Sequence, residues 1–150
     1  MDQNEQTIIH FLDSFSKRDF EEMNRMYSDD IVFFDPKVGL LREGIAKKLW
    51  KNQYENVNNF SFSFGEVIQV DEEYYTCENL ILYRHPQTKR KIKDKRKSYF
   101  RMENGKIVEQ SDAFKFYAWN RQAFGIMGWV LGWSTFFQKR VKNNILSNLQ

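Results

Sequence analysis

Hydrophobic residues recur at two spacings along the chain, and the first spacing predicts helices. Over about residues 4–17 the apolar positions repeat every three or four residues, as on one face of a helix. A capping box formed by Asp19 and Glu22 predicts the start of a second helix. A third helix is expected after a loop bounded by Gly39 and Gly44. The predicted apolar stripes are Ile8, Phe11, Leu12 and Phe15 in the first helix, and Ile45, Leu49 and Trp50 in the third.

The second spacing is a period of two, which predicts strands over about residues 59–70, 74–84 and 92–102. Gly65 is a candidate bulge in the first of these. A shorter strand over about residues 31–35 precedes them and ends at Pro36. Asn104 and Gly105 signal a hairpin turn that leads into one more strand. These elements predict an α+β fold in which an antiparallel meander packs one face against the helices.

The alternation along the last strand places Asp112 on the same face as apolar residues such as Phe114. A carboxylate among phenylalanines is costly unless it is paired, hydrogen-bonded or protonated, which favours a pocket that holds acidic groups. An Asp112 that lies near the rim and bonds to backbone explains the pattern equally well. Alternation in the preceding strand puts Asp94, Arg96 and Phe100 on one face, and we expect that face and Asp112 to share one cavity.

Composition narrows the function classes. Aromatic residues make up 17% of the 150 residues, which suits a wide apolar cavity. The net charge of +3 gives little reason to expect a nucleic-acid partner. The single cysteine, Cys77, excludes an internal disulfide and fits a reducing compartment. Since the N-terminal residues lack the pattern of a signal peptide and no stretch is long enough to span a bilayer, we expect a cytoplasmic protein.

The order of helices, a short strand ending in Asp-Pro, a further helix and a curved meander resembles the nuclear transport factor 2-like superfamily. That group includes ketosteroid isomerase, limonene epoxide hydrolase, scytalone dehydratase and the SnoaL-like polyketide cyclases. The resemblance covers about residues 5–117 and implies a cone-shaped curved antiparallel sheet wrapped around the N-terminal helices. It implies one SnoaL-like domain spanning residues 1–150 and a homodimer. Residues 118–150 are expected to form an apolar C-terminal helical extension.

Two short motifs extend the resemblance to a site. The stretch MYSDDIVFFDPKVGLLREG, residues 26–44, is similar to the part of ketosteroid isomerase whose Asp-Pro aspartate is the general base, which implies that role for Asp35. Gly105-Lys106-Ile107 followed by Ser111-Asp112 is similar to limonene epoxide hydrolase, whose equivalent aspartate handles a proton, which implies that role for Asp112. Two carboxylates in one apolar pocket could serve as acid and base. A strand-ending Asx turn is an equally good reason for Asp35.

The chain departs from both relatives. The positions in register with the oxyanion-hole Tyr and Asp of ketosteroid isomerase are Phe11 and Ser98, and Phe has no donor, so steroid isomerisation by that mechanism is not expected. The Arg-x-Asp pair of limonene epoxide hydrolase is absent from residues 74–84, while Asp94 and Arg96 carry those residue types in reverse order one strand later. Arg96 could hold an anionic substrate or neutralise Asp94 and Asp112, and we favour neutralisation.

Two further segments invite other functions. In the basic run of residues 89–97 the lysines alternate without aromatic residues for base stacking, which indicates a solvated face or a protected edge. The segment Ala123–Phe137 carries Trp129 and Trp133 one turn apart. We expect it to pack on protein, as a lid over the pocket or at a subunit contact, rather than on lipid.

These patterns predict a protein that binds a small, mostly apolar molecule, with cofactor-free acid–base chemistry of the isomerase, hydrolase, cyclase or dehydratase type if it is an enzyme. The alternatives are a non-catalytic ligand-binding or dimeric interaction protein and, less favoured, a membrane-surface adaptor. His10 and His85 have no ligand cluster around them, so neither metal nor cofactor is expected. The candidate catalytic residues are Asp35 and Asp112, and the candidate substrate-binding residues are Phe11, Trp50, Asp94, Arg96, Phe100 and Phe114.

Overall fold

The computed structural model describes residues 2–113, which form three helices and seven strands. The helices are α1 (Gln3–Ser16), α2 (Phe20–Met26) and α3 (Glu43–Tyr54). The strands are β1 (Tyr27–Asp35), β2 (Gly39–Arg42), β3 (Asn58–Phe64), β4 (Ile68–Gln69), β5 (Tyr74–Arg84), β6 (Lys91–Glu103) and β7 (Lys106–Ala113). Phe114 and the segment Ala123–Phe137 lie outside the described residues, so the expectations for them stay predictions.

Side-chain caps explain where the first two helices begin. The carboxylate of Asp2 accepts a hydrogen bond from the backbone N–H of Glu5 at 2.7 Å. Asp19 does the same for Glu22 at 3.2 Å, as its capping pattern predicts. The predicted stripe of α1 is confirmed, since its buried apolar residues are Ile8, Phe11, Leu12 and Phe15.

The strands form one curved sheet in the order β2-β1-β7-β6-β5-β3, with β4 paired to β5. Neighbouring strands are antiparallel except for β1 and β7, which are parallel. The expected α+β fold with a mostly antiparallel sheet is therefore confirmed. Within residues 2–113 no helix is long and apolar enough to cross a bilayer.

Three local predictions are wrong. Residues 39–42 form β2 instead of a loop, because Gly39 takes a φ of 75° and lets the chain turn back onto β1. The predicted strand over residues 59–70 breaks after Phe64, where Gly65 to Val67 separate β3 from β4. Ile45 is exposed, because the buried face of α3 consists of Ala46, Leu49, Trp50 and Tyr54.

A bulge in β7 changes which residues point inward. Simple alternation puts Ile107 on the opposite face from Asp112, yet both side chains are buried. The pairing moves from Arg101 with Glu109 to Met102 with Ile107, so Val108 is an extra residue in β7. The bulge therefore turns Ile107 inward while Asp112 keeps its inward position.

Aromatic rings fill the space between the helices and the inner face of the sheet. The ring of Phe15 on α1 lies 5.1 Å from Trp50, 5.4 Å from Tyr54, 5.4 Å from Phe60 and 4.6 Å from Phe62, measured between centroids. Each such pair contributes about 0.5–1.5 kcal/mol beyond its buried area. Phe15 therefore joins α1, α3 and β3 into one core.

Replacing Phe15 with Ala should lower the free energy of unfolding by about 3–5 kcal/mol, because the change removes four ring contacts and opens a cavity. Urea unfolding followed by circular dichroism measures the loss. The control Ile45→Ala, at an exposed position of α3, should cost about 0.5 kcal/mol. Equal losses for the two variants would contradict this account of the core.

Candidate functional site

Four charged side chains converge on the inner face of the sheet, and each is at most 4% exposed. We call Asp35, Asp94, Arg96 and Asp112 the carboxylate cluster. The guanidinium of Arg96 lies at its centre, where Nε donates to Asp94 Oδ2 at 2.9 Å and Nη1 donates to Asp112 Oδ2 at 3.1 Å. The same Nη1 lies 3.8 Å from Asp35 Oδ2. One arginine thus contacts carboxylates from three strands.

The pairing of the strands explains this convergence. Alternation along β6 turns Asp94, Arg96 and Ser98 inward, and Ser98 is the cross-strand neighbour of Asp112 on β7. Because β1 and β7 run parallel with Phe34 beside Ser111, the next residue of each strand, Asp35 and Asp112, lies inward at the same level. The cluster therefore depends on the one parallel pair in the described sheet.

The carboxylate of Asp35 has contacts on two sides. Its Oδ1 accepts hydrogen bonds from the backbone N–H groups of Lys37 and Val38, each at 2.8 Å, which is the local turn expected before a strand ends. Its Oδ2 faces Arg96. The turn therefore orients the carboxylate toward the cluster.

A chain of neutral hydrogen bonds holds Asp112 from the other side. Ser98 Oγ donates to Asp112 Oδ1 at 2.7 Å, and Gln110 Nε2 donates to the same oxygen at 3.2 Å. The hydroxyl of Tyr27 donates to the amide oxygen of Gln110 and accepts from Trp50 Nε1 at 2.9 Å. Trp50, a predicted substrate-binding residue, is thus connected to Asp112 through two side chains.

Burial raises the pKa of Asp112 above its ordinary value, and the neighbouring charge of Asp35 adds to the shift. The charge of Arg96 and the hydrogen bond from Ser98 act in the opposite direction without cancelling it. For Arg96, burial lowers the pKa, but Asp94 and the other acidic neighbours outweigh it and raise the pKa well above its usual value. Arg96 is therefore a permanent cation, and Asp112 holds a proton more readily than an aspartate in water does.

Lys37 adds a second buried cation beside the cluster, and its side chain is only 3% exposed. Burial and the charge of Arg96 lower its pKa to about 8, while the three aspartates oppose this shift. Burial also raises the pKa of Tyr54 well above its usual value, so its hydroxyl stays protonated beside Arg96 Nη2 at 3.4 Å. The site thus contains three carboxyl groups, two cations and the two phenols of Tyr27 and Tyr54.

The structure brings together some of the predicted site residues. The four members of the carboxylate cluster are in contact. Alternation on β6 and β7 predicted three of them on one face, and the place of Asp35 beside them was implied by the resemblance. Phe11 lies in the adjacent core, 5.1 Å from the ring of Tyr27 and 5.9 Å from that of Phe100. Phe114 is outside the described residues. The catalytic and substrate-binding roles of all these residues stay predictions.

Several polar residues of the site were missed from sequence. Ser98 and Gln110 share the inward face of their strands with Asp94 and Asp112, and this alternation was a sufficient signal for both. Tyr54 lies on the buried side of α3. In the sequence it is one more aromatic residue of an apolar helix face, and nothing marks its hydroxyl as part of a site. Lys37 follows Pro36 in a turn, and nothing in its local sequence predicts burial.

Residues 91–97 of the basic run lie on β6, which is an interior strand between β5 and β7. The alternative of a protected sheet edge is therefore wrong for this run. Lys93, Lys95 and Lys97 are exposed on the outer face of the sheet, opposite the carboxylate cluster. Their position agrees with the predicted solvated face.

Metal-ligand geometry is absent from the part of the chain that the structure describes: no three His, Cys, Asp or Glu side chains there could hold an ion. His10 bonds to Glu22 at 2.9 Å on the helical surface. His85 Nδ1 accepts from the backbone N–H groups of Gln87 and Thr88. The prediction that any activity is metal-independent stays a prediction.

Most of the chain matches the model of one protein family. Residues 8–110 match the model of the SnoaL-like domain. The chain belongs to the SnoaL-like family. Its carboxylate cluster lies at the inner face of a SnoaL-like domain, with Asp112 two residues beyond the matched range. Among curated proteins, none matches the chain.

Solved structures share the fold at low sequence identity. An LEH-like epoxide hydrolase from M. tuberculosis is 17% identical with a TM-score of 0.66, covering 86% of this chain and 93% of its own. TerC, co-crystallized with polyporic acid, is 14% identical with a TM-score of 0.71, and the match covers 81% of this chain and 98% of TerC. An NTF2-like protein of unknown function from Burkholderia pseudomallei K96243 is 18% identical with a TM-score of 0.70. The match covers 83% of this chain and 100% of that protein. The predicted nuclear transport factor 2-like fold is thereby confirmed.

Replacing Arg96 with Met should lower the free energy of unfolding by about 3–5 kcal/mol, because three buried carboxyl groups lose their cation. Arg101 offers a matched control on the same strand, since it also contacts three carboxylates but does so near solvent. Arg101→Met should cost at most about 1 kcal/mol. Urea unfolding at neutral pH measures both, and losses of similar size would contradict the assigned role of burial.

The lowered pKa of Lys37 predicts how the stability of the protein depends on pH. Because its folded-state pKa of about 8 lies below its ordinary 10.5, the unfolded chain binds more protons between these values, and stability rises with pH there. Relative to Lys37→Met, the wild-type protein should gain on the order of 3 kcal/mol across this window. Unfolding of both proteins by urea from pH 7 to 10.5 measures the difference, and a difference independent of pH would exclude a buried ionising Lys37.

Proposed function

We propose that this SnoaL-like protein binds a small, mostly apolar molecule against the inner face of its sheet and exchanges protons with it through Asp35 and Asp112. The single observation that carries the proposal is the burial of Arg96 against three carboxylates. Replacing a buried ion network by apolar residues of similar volume is often neutral or stabilising, so stability alone is a weak reason to have one. Proton transfer to a bound molecule is a stronger reason.

We assign the two acids different roles from their surroundings. Asp35 Oδ1 accepts from two backbone N–H groups and can only be an acceptor there, which suits a base. Burial favours the protonated form of Asp112, which suits an acid. Arg96 touches both carboxyl groups and holds them in one geometry. The proposed step is proton donation by Asp112 to a ligand oxygen, with proton removal from carbon or water by Asp35.

The apolar part of the ligand would contact the aromatic side of the site. Phe11 and Trp50 contact Tyr27, and Phe100 packs against Phe11, so the three supply rings without charge. This combination of an apolar wall and a few convergent polar groups is typical of small-molecule sites. The relatives of known fold include an epoxide hydrolase and a protein co-crystallized with polyporic acid. Isomerisation, epoxide hydrolysis, cyclisation and dehydration all contain the proposed proton step, which needs no cofactor.

A second candidate function is ligand binding without catalysis. The observation that favours it is that each of the three guanidinium nitrogens of Arg96 already bonds to a side chain of the protein, namely Asp94, Asp112 or Tyr54. In that case the cluster positions β1, β6 and β7, and the aromatic core alone selects the ligand. The same variants distinguish the two functions.

The test uses three probes: polyporic acid for binding, a cyclic terpene epoxide for hydrolysis and a β,γ-unsaturated cyclic ketone for isomerisation. Calorimetry measures affinity, and product formation measures turnover. Asp112→Asn and Asp35→Asn should retain affinity within a few-fold and lose turnover by about 10²–10⁴-fold, as expected when a general acid or base is removed.

Glu109→Gln is the matched control, since Glu109 lies on the same strand as Asp112 and pairs with Arg101 on the outer side. It should leave both affinity and turnover unchanged. Binding without turnover by the wild-type protein would select the non-catalytic function. Turnover that survives in Asp112→Asn and Asp35→Asn would exclude the proton pair.

A further inference from the structure

A buried amide on β5, that of Asn79, determines the direction of the hydrogen bond between Ser98 and Asp112. Its Nδ2 donates to Ser98 Oγ at 2.9 Å and to the backbone carbonyl of Cys77 at 3.4 Å. Because a carbonyl oxygen can only accept, the contact with Cys77 fixes which end of the amide faces Ser98. The hydroxyl of Ser98 therefore accepts from Asn79 and has its single hydrogen left for Asp112 Oδ1, at 2.7 Å.

A second chain of hydrogen bonds reaches the same oxygen from α3. The indole Nε1 of Trp50 is a donor only, so the hydroxyl of Tyr27 accepts from it and donates to the amide oxygen of Gln110. The amide nitrogen of Gln110 is thereby turned toward Asp112 Oδ1, to which it donates at 3.2 Å. Both chains thus begin at a nitrogen that can only donate, and both deliver a hydrogen to Oδ1 of Asp112.

The two oxygens of Asp112 consequently differ in their capacity for a proton. Each carboxylate oxygen offers about two lone-pair sites. Both sites of Oδ1 accept hydrogen bonds, from Ser98 and Gln110. Within residues 2–113, Oδ2 accepts one hydrogen bond, from Arg96 Nη1 at 3.1 Å, and keeps the other site. A proton on Oδ1 would require both chains to reverse, and the buried hydroxyl hydrogens of Ser98 and Tyr27 would then have no acceptor in their chains, which is costly.

We propose that the proton exchanged by Asp112 is carried on Oδ2, and that Asn79 is a positioning residue that enforces this through Ser98. Asp35 is arranged in the same way, because two backbone N–H groups occupy its Oδ1. Arg96 Nη1 lies 3.1 Å from Asp112 Oδ2 and 3.8 Å from Asp35 Oδ2. The oxygens that can exchange protons therefore surround one nitrogen of the guanidinium.

This arrangement determines where a ligand has to approach. The ligand oxygen that takes the proton must reach Oδ2 of Asp112 beside Arg96. The electron pair of the broken O–H bond stays on Oδ2, so the negative charge forms next to the guanidinium. That use of the proton rests on the proposed function, whereas the position of the proton follows from hydrogen bonds that exist without a ligand.

Infrared spectroscopy of the full chain without ligand tests the position of the proton. Below the titration midpoint of Asp112, the difference between the wild-type protein and Asp112→Asn isolates the C=O stretch of the protonated carboxyl group. With the proton on Oδ2, the carbonyl oxygen is Oδ1, and its two hydrogen bonds lower the stretching frequency. Ser98→Ala removes one of these bonds and should raise the frequency. An unchanged frequency in Ser98→Ala would place the proton on Oδ1 and overturn the proposal.

A double-mutant cycle tests the role of Asn79, with the titration midpoint of Asp112 followed by carbon-13 NMR. Asn79→Leu releases the hydroxyl of Ser98 from its fixed direction and should move the midpoint to higher pH, because the bond to the charged form weakens. Ser98→Ala should move it further in the same direction. Asn79→Leu should add nothing in the Ser98→Ala background, since Asn79 acts through Ser98. Shifts that add would show that Asn79 acts through packing and would overturn its positioning role.

Thr76→Val is the matched control on β5. Thr76 Oγ1 donates to the backbone carbonyl of Ser98 and not to its hydroxyl, so this variant should leave the midpoint unchanged. If circular dichroism shows that Asn79→Leu does not fold, Trp50→Phe tests the second chain in the same way. It should move the midpoint to higher pH in the wild-type background and add nothing in the Gln110→Leu background, and additive shifts would overturn the chain.

The proposed function and the position of the proton fail in different experiments. Turnover of the probes by the wild-type protein, together with an unchanged frequency in Ser98→Ala, would overturn the position of the proton and leave the proposed function standing. A raised frequency in Ser98→Ala, together with no binding or turnover of any probe, would support the position of the proton and contradict the proposed function alone.

Discussion

The arrangement of the inner sheet depends on burying one arginine among three carboxyl groups. Arg96 holds Asp94 on its own strand, Asp112 on β7 and Asp35 at the end of β1. Taking these charges out of water costs several kcal/mol for each ion, and only close mutual contacts offset that cost. The contacts exist because the parallel pairing of β1 with β7 brings Asp35 and Asp112 to one level. Without Arg96 the three buried carboxyl groups would lose the cation that contacts all of them.

The surrounding residues stabilise the carboxylate cluster in two ways. Neutral donors, Ser98 and Gln110, satisfy the oxygen of Asp112 that Arg96 does not reach. The aromatic core built on Phe15 fixes α1 and α3 against the sheet and keeps water away from the charges. Low local dielectric strengthens each contact and also favours the protonated form of Asp112. The same burial that makes the cluster costly thus raises the pKa of one of its acids, Asp112.

Sequence patterns predicted most of the fold and the polar centre of the site. Alternation along β6 and β7 was enough to place Asp94, Arg96 and Asp112 on the inner face, because a strand side chain has only two directions. The parallel pair of β1 and β7 could not be predicted, since it joins segments some eighty residues apart and has no local signature. The bulge at Val108 and the burial of Lys37 were missed because neither has a local sequence signature. Both depend on what the rest of the chain packs around them.

The protonation of Asp112 in the folded protein is the most direct test of the central claim. Carbon-13 NMR of the aspartate carboxyl groups can follow each resonance with pH, and Asp112→Asn identifies the one that belongs to Asp112. We predict that this resonance titrates above the ordinary value of 3.8, because burial and Asp35 disfavour the charged form. Titration at or below that value would mean that Arg96 and Ser98 outweigh burial, and it would contradict an acid role for Asp112.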